Sequence, residues 1–383
     1  MDVEKASVEE SQAGHRKLDT PGHATLIALG GGKGGIGKTV IAASMGICIA
    51  KLKKRVVVVD ADLGGANLHA VMGIQKPVKT YLNFHNRDYQ DLNDVLIDYP
   101  GSLNLRIMCG PDGSLGMANL YTSKRKKFIR HIKTLDADFV VMDLGSGSSY
   151  DILDFFLSAD QSILVINPDP LSILESYNFI KQAVFRRVAN IIRDNSEAVA
   201  LIKQIARIET HKKPITMVDL IQKVSHLDES MGSRLESSLG EFKPMILINM
   251  LEEVKDEQEV LSIQAAAAEI LSVDIGYLGA IHRDETVRQS IRKTEPFIIY
   301  SPGCRASRDL ADIVVKKMFH NGRFQAFKAK RQIRKKVSDE TVVETESMIC
   351  TVRCIYWQDC GFKQGGFPCP LQHVKGIGGF HRE

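Results

Sequence analysis

The sequence predicts an α/β fold: a mostly parallel, doubly wound sheet carrying a helical insertion and a small cysteine-containing C-terminal tail. Short apolar runs recur along the chain with longer helical patterns between them. Several of these runs are continuous rather than alternating, as strands buried on both faces should be. Helices between successive runs supply the crossovers that parallel strands require. At 383 residues and 44% hydrophobic content the chain can bury the core of one large domain with appendages.

The elements follow in order. Residues 1–23 are polar and acid-bearing, which predicts a flexible N-terminal segment without the apolar stretch of a secretory leader. No run of eighteen apolar residues follows, so a cytoplasmic protein is expected. A main domain over 24–318 begins with "ATLIALGG", passes through the helical pattern "TVIAASMGICIAKL", and continues with "RVVVVDAD", "LNLRIMCG", "DFVVMDLG" and "QSILVINP". About seventy-five residues then intervene where one helix would suffice, and their periodicity predicts a helical insertion at about 183–243. "KPMILINM" and "DIGYLGAI" complete the sheet. Beyond it, 319–349 reads as a basic helix and acidic linker, and 350–383 as a Cys-rich tail.

Between the first strand and helix lies "GKGGIGKTV", Gly32, Lys33, Gly34, Gly35, Ile36, Gly37, Lys38, Thr39 and Val40. It fits G-x-x-x-x-G-K-[ST] in the strand–loop–helix context that a phosphate loop needs. Glycines let successive N–H groups and the helix N-terminus face phosphate oxygens. Lys38 is then expected at the β/γ-phosphates of a nucleotide and Thr39 on Mg²⁺. Lys33 leaves from the opposite limb of the loop and is predicted to serve something outside it. Asp60 and Asp62 end the second strand run, and Asp143 ends "FVVMD" before the small-residue stretch Gly145 to Ser148. Carboxylates at strand ends beside a phosphate loop can hold Mg²⁺ through water or orient an attacking water. Asp143 is the Walker B candidate, Asp60 a support of the metal shell, and Asn67 either a site residue or a helix cap.

The two-lysine loop K-G-G-x-G-K-T resembles the deviant Walker A motif of the MinD/ParA superfamily of P-loop NTPases, and the likeness extends over roughly 24–318. It implies a slow, regulatory ATPase that dimerises on ATP. Lys33 would be the lysine that crosses to the partner's nucleotide, Lys38 the one acting on its own, and Asp62 the group positioning the hydrolytic water. Asn249, at the end of "KPMILINM", would read the adenine edge. "DADLGGANLHAVMGI", "CGPDGS", "DLGSGSSYDILDFFLSAD" and "AIHRDETVRQSIRKTEPFIIYSP" look most like the FlhG branch, whose members set flagellar number and placement. The helical insertion and cysteine tail depart from that pattern. An unknown regulatory protein is the expected partner besides a second copy.

"KKMFHNGRFQAFKAKRQIRKKV" carries nine Lys/Arg and no acid. The resemblance implies a membrane-targeting helix here, for peripheral attachment to the inner face of the cell membrane, with Ile313, Val314, Met318 and Phe319 beginning its apolar face and Phe324 and Phe327 continuing it. The same cations suit DNA phosphates, as in a ParA-like partitioning ATPase. Cys350, Cys354, Cys360 and Cys369, spaced C-x3-C-x5-C-x8-C, could hold Zn²⁺ or an iron–sulfur cluster, or remain free thiols. An iron–sulfur carrier resembling nitrogenase iron protein or Mrp is the rival that uses a cluster.

Overall fold

The structure, a computed structural model, describes residues 24–62, 65–101, 104–110, 122–208 and 216–319. Eight strands form one sheet: β1 (Thr25–Gly30), β2 (Val56–Ala61), β3 (Ile97–Asp98), β4 (Leu105–Met108), β5 (Phe139–Leu144), β6 (Gln161–Ile166), β7 (Met245–Leu251) and β8 (Gly276–His282). Their order is β3-β4-β2-β5-β1-β6-β7-β8. Every neighbouring pair is parallel except β3 with β4. The seven apolar runs are the seven parallel strands, and β3 is an edge of two residues paired to Ile107 and Arg106. From β1 the chain winds one way to β2 and β4, returns to β5, and then proceeds on the other side through β6 to β8. Such a reversal opens a crevice at the carboxyl ends of the strands.

Ten helices of eight or more residues are described: α1 (Lys38–Lys51), α2 (Thr122–Lys133), α3 (Tyr150–Ser158), α4 (Pro170–Ile192), α5 (Ser196–Ile208), α6 (Met217–Leu227), α7 (Glu229–Glu241), α8 (Val254–Leu271), α9 (Glu285–Arg292) and α10 (Arg305–Asp312). They bury two apolar cores, one on each face of the sheet. Phe128, Phe155, Phe156 and Phe179 from α2, α3 and α4 dominate one, while Ile41, Met45, Phe297 and Leu310 belong to the other. The segment 183–243 holds the second half of α4 and the helices α5, α6 and α7, so position 183 falls inside an unbroken 23-residue helix. Thr216 and Asp228 cap α6 and α7 through Asp219 N–H and Met231 N–H. Leu220, Val224, Leu235 and Leu239 turn inward to the core that contains the α4 residues Ile180 and Val184.

One expectation is corrected. Ile313 and Val314, read as the start of a membrane-facing stripe, are 4% and 0% exposed in the core. The chain leaves α10 through a π-helical turn, Ile313–Phe319, and Phe319 packs its ring 5.2 Å from that of Phe139, with Met318 against the same core. Ile313 and Val314 are buried and Met318 and Phe319 half-buried against the sheet, so a lipid-facing stripe does not begin at Ile313. Residues 320–383, including Phe324, Phe327 and the four tail cysteines, lie outside the described residues.

Candidate functional site

Residues 31–37 join β1, at the centre of the sheet, to the buried helix α1. Gly35 and Gly37 turn the loop in the left-handed region, at φ 76° and 90°. A Cβ on Gly37 would lie 2.5 Å from the Asn249 side-chain nitrogen. That amide donates to the Ile36 carbonyl at 2.8 Å, so the end of β7 is tied to the loop. Lys38 opens α1 and folds back, its Nζ donating to the Lys33 carbonyl at 3.2 Å. It is only 7% exposed. Burial pushes its pKa down, and the carboxylates of Asp143 and Asp62 oppose that shift.

Asp60 and Asp143 are register partners on β2 and β5. Asp143 is buried and accepts a hydrogen bond from the Thr39 hydroxyl, while its Oδ1 has no hydrogen-bond partner. Burial raises its pKa, the Asp60 charge adds to the rise, and Thr39 and Lys38 work against it. Asp60 accepts from Asp62 N–H at 3.1 Å and from Leu68 N–H at 3.0 Å. Burial nevertheless pushes it up to about 7. Asp62 lies with its carboxylate against Gly145, at the head of the loop after β5. Asn67 occupies the N-cap position of the short helix Leu68–Val71 but donates to the Gly65 carbonyl, and Asp60 does the capping.

A buried carboxylate oxygen without a partner, beside a hydroxyl and a second acid, is the kind of donor set that takes Mg²⁺ together with water and phosphate oxygens. Two acids whose pKa values burial raises are what a cation would hold in the charged state. The residues therefore fit the ion. Among the described residues no three His, Cys, Asp or Glu side chains converge into a metal cage of their own. Cys48, Cys109 and Cys304 are free thiols.

Lys33 points elsewhere. Its Nζ donates to Asp169 Oδ2 at 2.9 Å, and Asp169 also caps α4, accepting from Leu171 N–H at 2.8 Å. The Asp-Pro pair at 169–170 is a legible helix start, but nothing in the sequence joins it to a lysine 136 residues away.

A cleft of about 400 Å³ adjoins the loop, lined by Gly37, Val40 and Asn249 and by residues from the end of β8 onward, within the stretch 280–302 that resembles the FlhG branch. Ile281, Val287 and Phe297 make its apolar walls, while His282 and Asp284 bring polar groups. The sequence points Val40 and Asn249 to a nucleotide, whereas His282 and Asp284 stand in it only as part of the FlhG-like stretch 280–302, with no role of their own.

Residues 27–297 match the family described as the CobQ/CobB/MinD/ParA nucleotide binding domain. The chain is 29% identical over 192 residues to the antiactivator FleN of Pseudomonas aeruginosa, covering 48% of this chain and 67% of FleN. It is 27% identical over 210 residues to the flagellum site-determining protein YlxH of Helicobacter pylori, covering 50% of this chain and 66% of YlxH. Each match thus spans about two thirds of the relative. The septum site-determining protein MinD from Pyrococcus horikoshii, solved with Mg-ADP, superposes over 78% of this chain and 98% of its own with a TM-score of 0.52 at 18% identity, a likeness of fold. With a phosphate loop at the switch point of a parallel sheet, flanking acids in register and a family match over most of its length, the chain belongs to the MinD/ParA family of nucleotide-binding ATPases.

Proposed function

We propose that this protein is an ATP-driven dimerisation switch of the MinD/FlhG kind, acting on the number or placement of a cellular structure. The observation that carries this reading is Lys33, which is turned out of its own loop and held at the rim by Asp169. A lysine in that place can be passed to a second copy's phosphates, whereas Lys38, buried beneath the loop, can serve only its own. Loop N–H groups and Lys38 hold the β/γ-phosphates, the apolar walls of the adjoining cleft take the base, and Thr39 and Asp143 would hold Mg²⁺, with Asp60 bracing the shell. Mg²⁺ supplies charge neutralisation at the phosphates. Asp62, fixed through its N–H to Asp60, orients the attacking water beside the mobile-capable loop Gly145 to Ser148. ATP between two copies gains contacts that ADP lacks, so turnover separates them.

The similarity to YlxH, a flagellum site-determining protein, supports the placement of flagella as the process regulated, and the likeness to septum site-determining MinD supports the division site. Mass in solution tests the switch. With ATP, Asp62→Ala should accumulate as a dimer and Lys33→Ala should stay monomeric, whereas all three proteins with ADP should be monomers. A mass independent of nucleotide in the wild type and both variants would remove the timer.

A further inference from the structure

We infer that His282 is a specificity-determining residue that selects a 6-amino purine, an inference that rests on reading the cleft as the base site. His282 is the last residue of β8 and lines the cleft beside Gly37, Asn249 and Ile281. Asp309 of α10 grips it twice, accepting its backbone N–H at 3.0 Å and lying 2.8 Å from Nδ1. A carboxylate facing Nδ1 requires the ring proton there, so the neutral imidazole carries a lone pair on Nε2. No described residue hydrogen-bonds Nε2, and the ring is a quarter exposed, at 26%. Nε2 lies on the side of the ring away from Asp309. The cleft is thus lined by a residue whose ring has an oriented acceptor that no described residue satisfies, beside the apolar side chains of Ile281, Val287 and Phe297 and the charged ones of Asp284 and Arg288.

Purines differ most sharply in what they show to such an acceptor. Adenine offers an N–H donor from its 6-amino group, whereas guanine and hypoxanthine offer a carbonyl oxygen at the same place. Nε2 gains a hydrogen bond with the first and faces a second lone pair with the others. Asn249 gives one amide N–H to the Ile36 carbonyl and so fixes the loop, while its side-chain oxygen is a second acceptor at the cleft, so substitution of His282 alone isolates the contribution of Nε2. Asp309 is the positioning residue: it fixes the tautomer and the ring plane without lining the cleft itself.

The test is equilibrium binding of ATP and ITP, which differ only at the 6-position edge, to the full chain at pH 8 with Mg²⁺, read by calorimetry. The wild type should prefer ATP by about tenfold, the scale of one oriented hydrogen bond gained against one lost. His282→Ala should lose most of that preference through weaker ATP binding, with ITP affinity held or improved, and His282→Gln, which keeps an acceptor, should restore part of it. Equal affinities of the wild type for ATP and ITP overturn the inference without any variant. An ATP:ITP ratio unchanged by His282→Ala overturns it too, and in both cases the nucleotide reading survives. If neither triphosphate binds the wild type, or if Lys38→Ala binds both as well as the wild type, the nucleotide reading fails and takes the inference with it.

Discussion

Two lysines five positions apart leave one loop in different directions because different groups capture them. Lys38 is drawn under the loop by a carbonyl and two nearby acids, and Lys33 is drawn outward by the cap of α4. The outward pair is partly exposed, 28% and 41% at the two side chains, so its strength is limited to about 1 kcal/mol. Under the proposed switch that would be enough to matter, because Lys33 could not hold Asp169 and a partner's phosphate at once. Asp169→Asn preserves an N-cap acceptor for Leu171 while removing the charge that competes for Lys33. Sedimentation with a non-hydrolysed ATP analogue should show dimers at a protein concentration about two- to fivefold lower than for the wild type. A shift to higher concentration would mean that Asp169 supports the dimer rather than the monomer. Gly37→Ala belongs to the same loop and should do greater damage, because it meets both a φ of 90° and Asn249 at 2.5 Å. The strained backbone and displaced amide should destabilise the fold by about 1–3 kcal/mol and reduce ATP affinity, both readable in thermal melts with and without nucleotide.

Asp284 shows how one cap can hold an element in place at the rim of the cleft. It accepts from Thr286 N–H at 2.9 Å to start α9 and from Ala306 N–H at 3.3 Å at the start of α10. Burial would raise its pKa, yet the hydrogen bonds from the Thr286 side chain and N–H, Ala306 N–H and Cys304 pull it down to about 2. Since the folded value lies below the unfolded one near 4, the stability it contributes is complete above about pH 4 and is lost as pH falls towards 2. Asp284→Ala should cost about 1 kcal/mol at pH 7. The stability gap between the wild type and Asp284→Asn, from urea midpoints without nucleotide, should narrow from pH 4 to pH 3; a widening gap would show that the folded carboxyl protonates first. In the helical insertion, a Cβ on Gly232 would sit 1.9 Å from Ser225 Oγ, so α6 and α7 pack with no room between them. Gly232→Ala should force them apart at a cost of about 1–3 kcal/mol, visible in the same measurement.

These elements also show what the sequence could tell. The seven parallel strands are legible because burial on both faces writes itself as unbroken Val, Ile and Leu, whereas β3, two residues at an edge, is too short to leave a period. The insertion is legible as excess helix, but its first boundary is hidden because α4 runs through position 183 without a cap or a break. The loop lysines and strand-end acids carry a spacing that chemistry demands. Asp169 and Asp309 carry none, and His282 only the general likeness of the stretch around it, since their significance comes from partners brought together by the crossovers. Ile313 and Val314 misled for the converse reason: an apolar stripe beside a run of cations reads alike whether sheet or lipid covers it.

Over the whole molecule, the sheet sits between two apolar cores, and the last described turn closes the second by laying Phe319 on Phe139. Ile313 and Val314 are thereby withdrawn from the surface, and what the sequence offers an outside partner is the run of cations with Phe324 and Phe327, most of which lies beyond the described residues. Cations near an anionic leaflet are worth at most about 1 kcal/mol each, and burying two phenyl rings adds about 3–6 kcal/mol. One copy held by so few apolar groups would bind weakly and reversibly, whereas two copies joined through ATP would bind together and gain avidity. Full-length protein should therefore sediment with phosphatidylserine-containing vesicles in the presence of ATP and much less with ADP. Phe324→Ser with Phe327→Ser should abolish sedimentation and leave the nucleotide-dependent mass intact. Duplex DNA would distinguish the other phosphate surface, because purely electrostatic binding falls steeply with salt and is indifferent to those two rings. Retention on DNA by the doubly substituted protein, with vesicle binding absent from the wild type, would assign the basic segment to nucleic acid and leave the ATP switch as it stands.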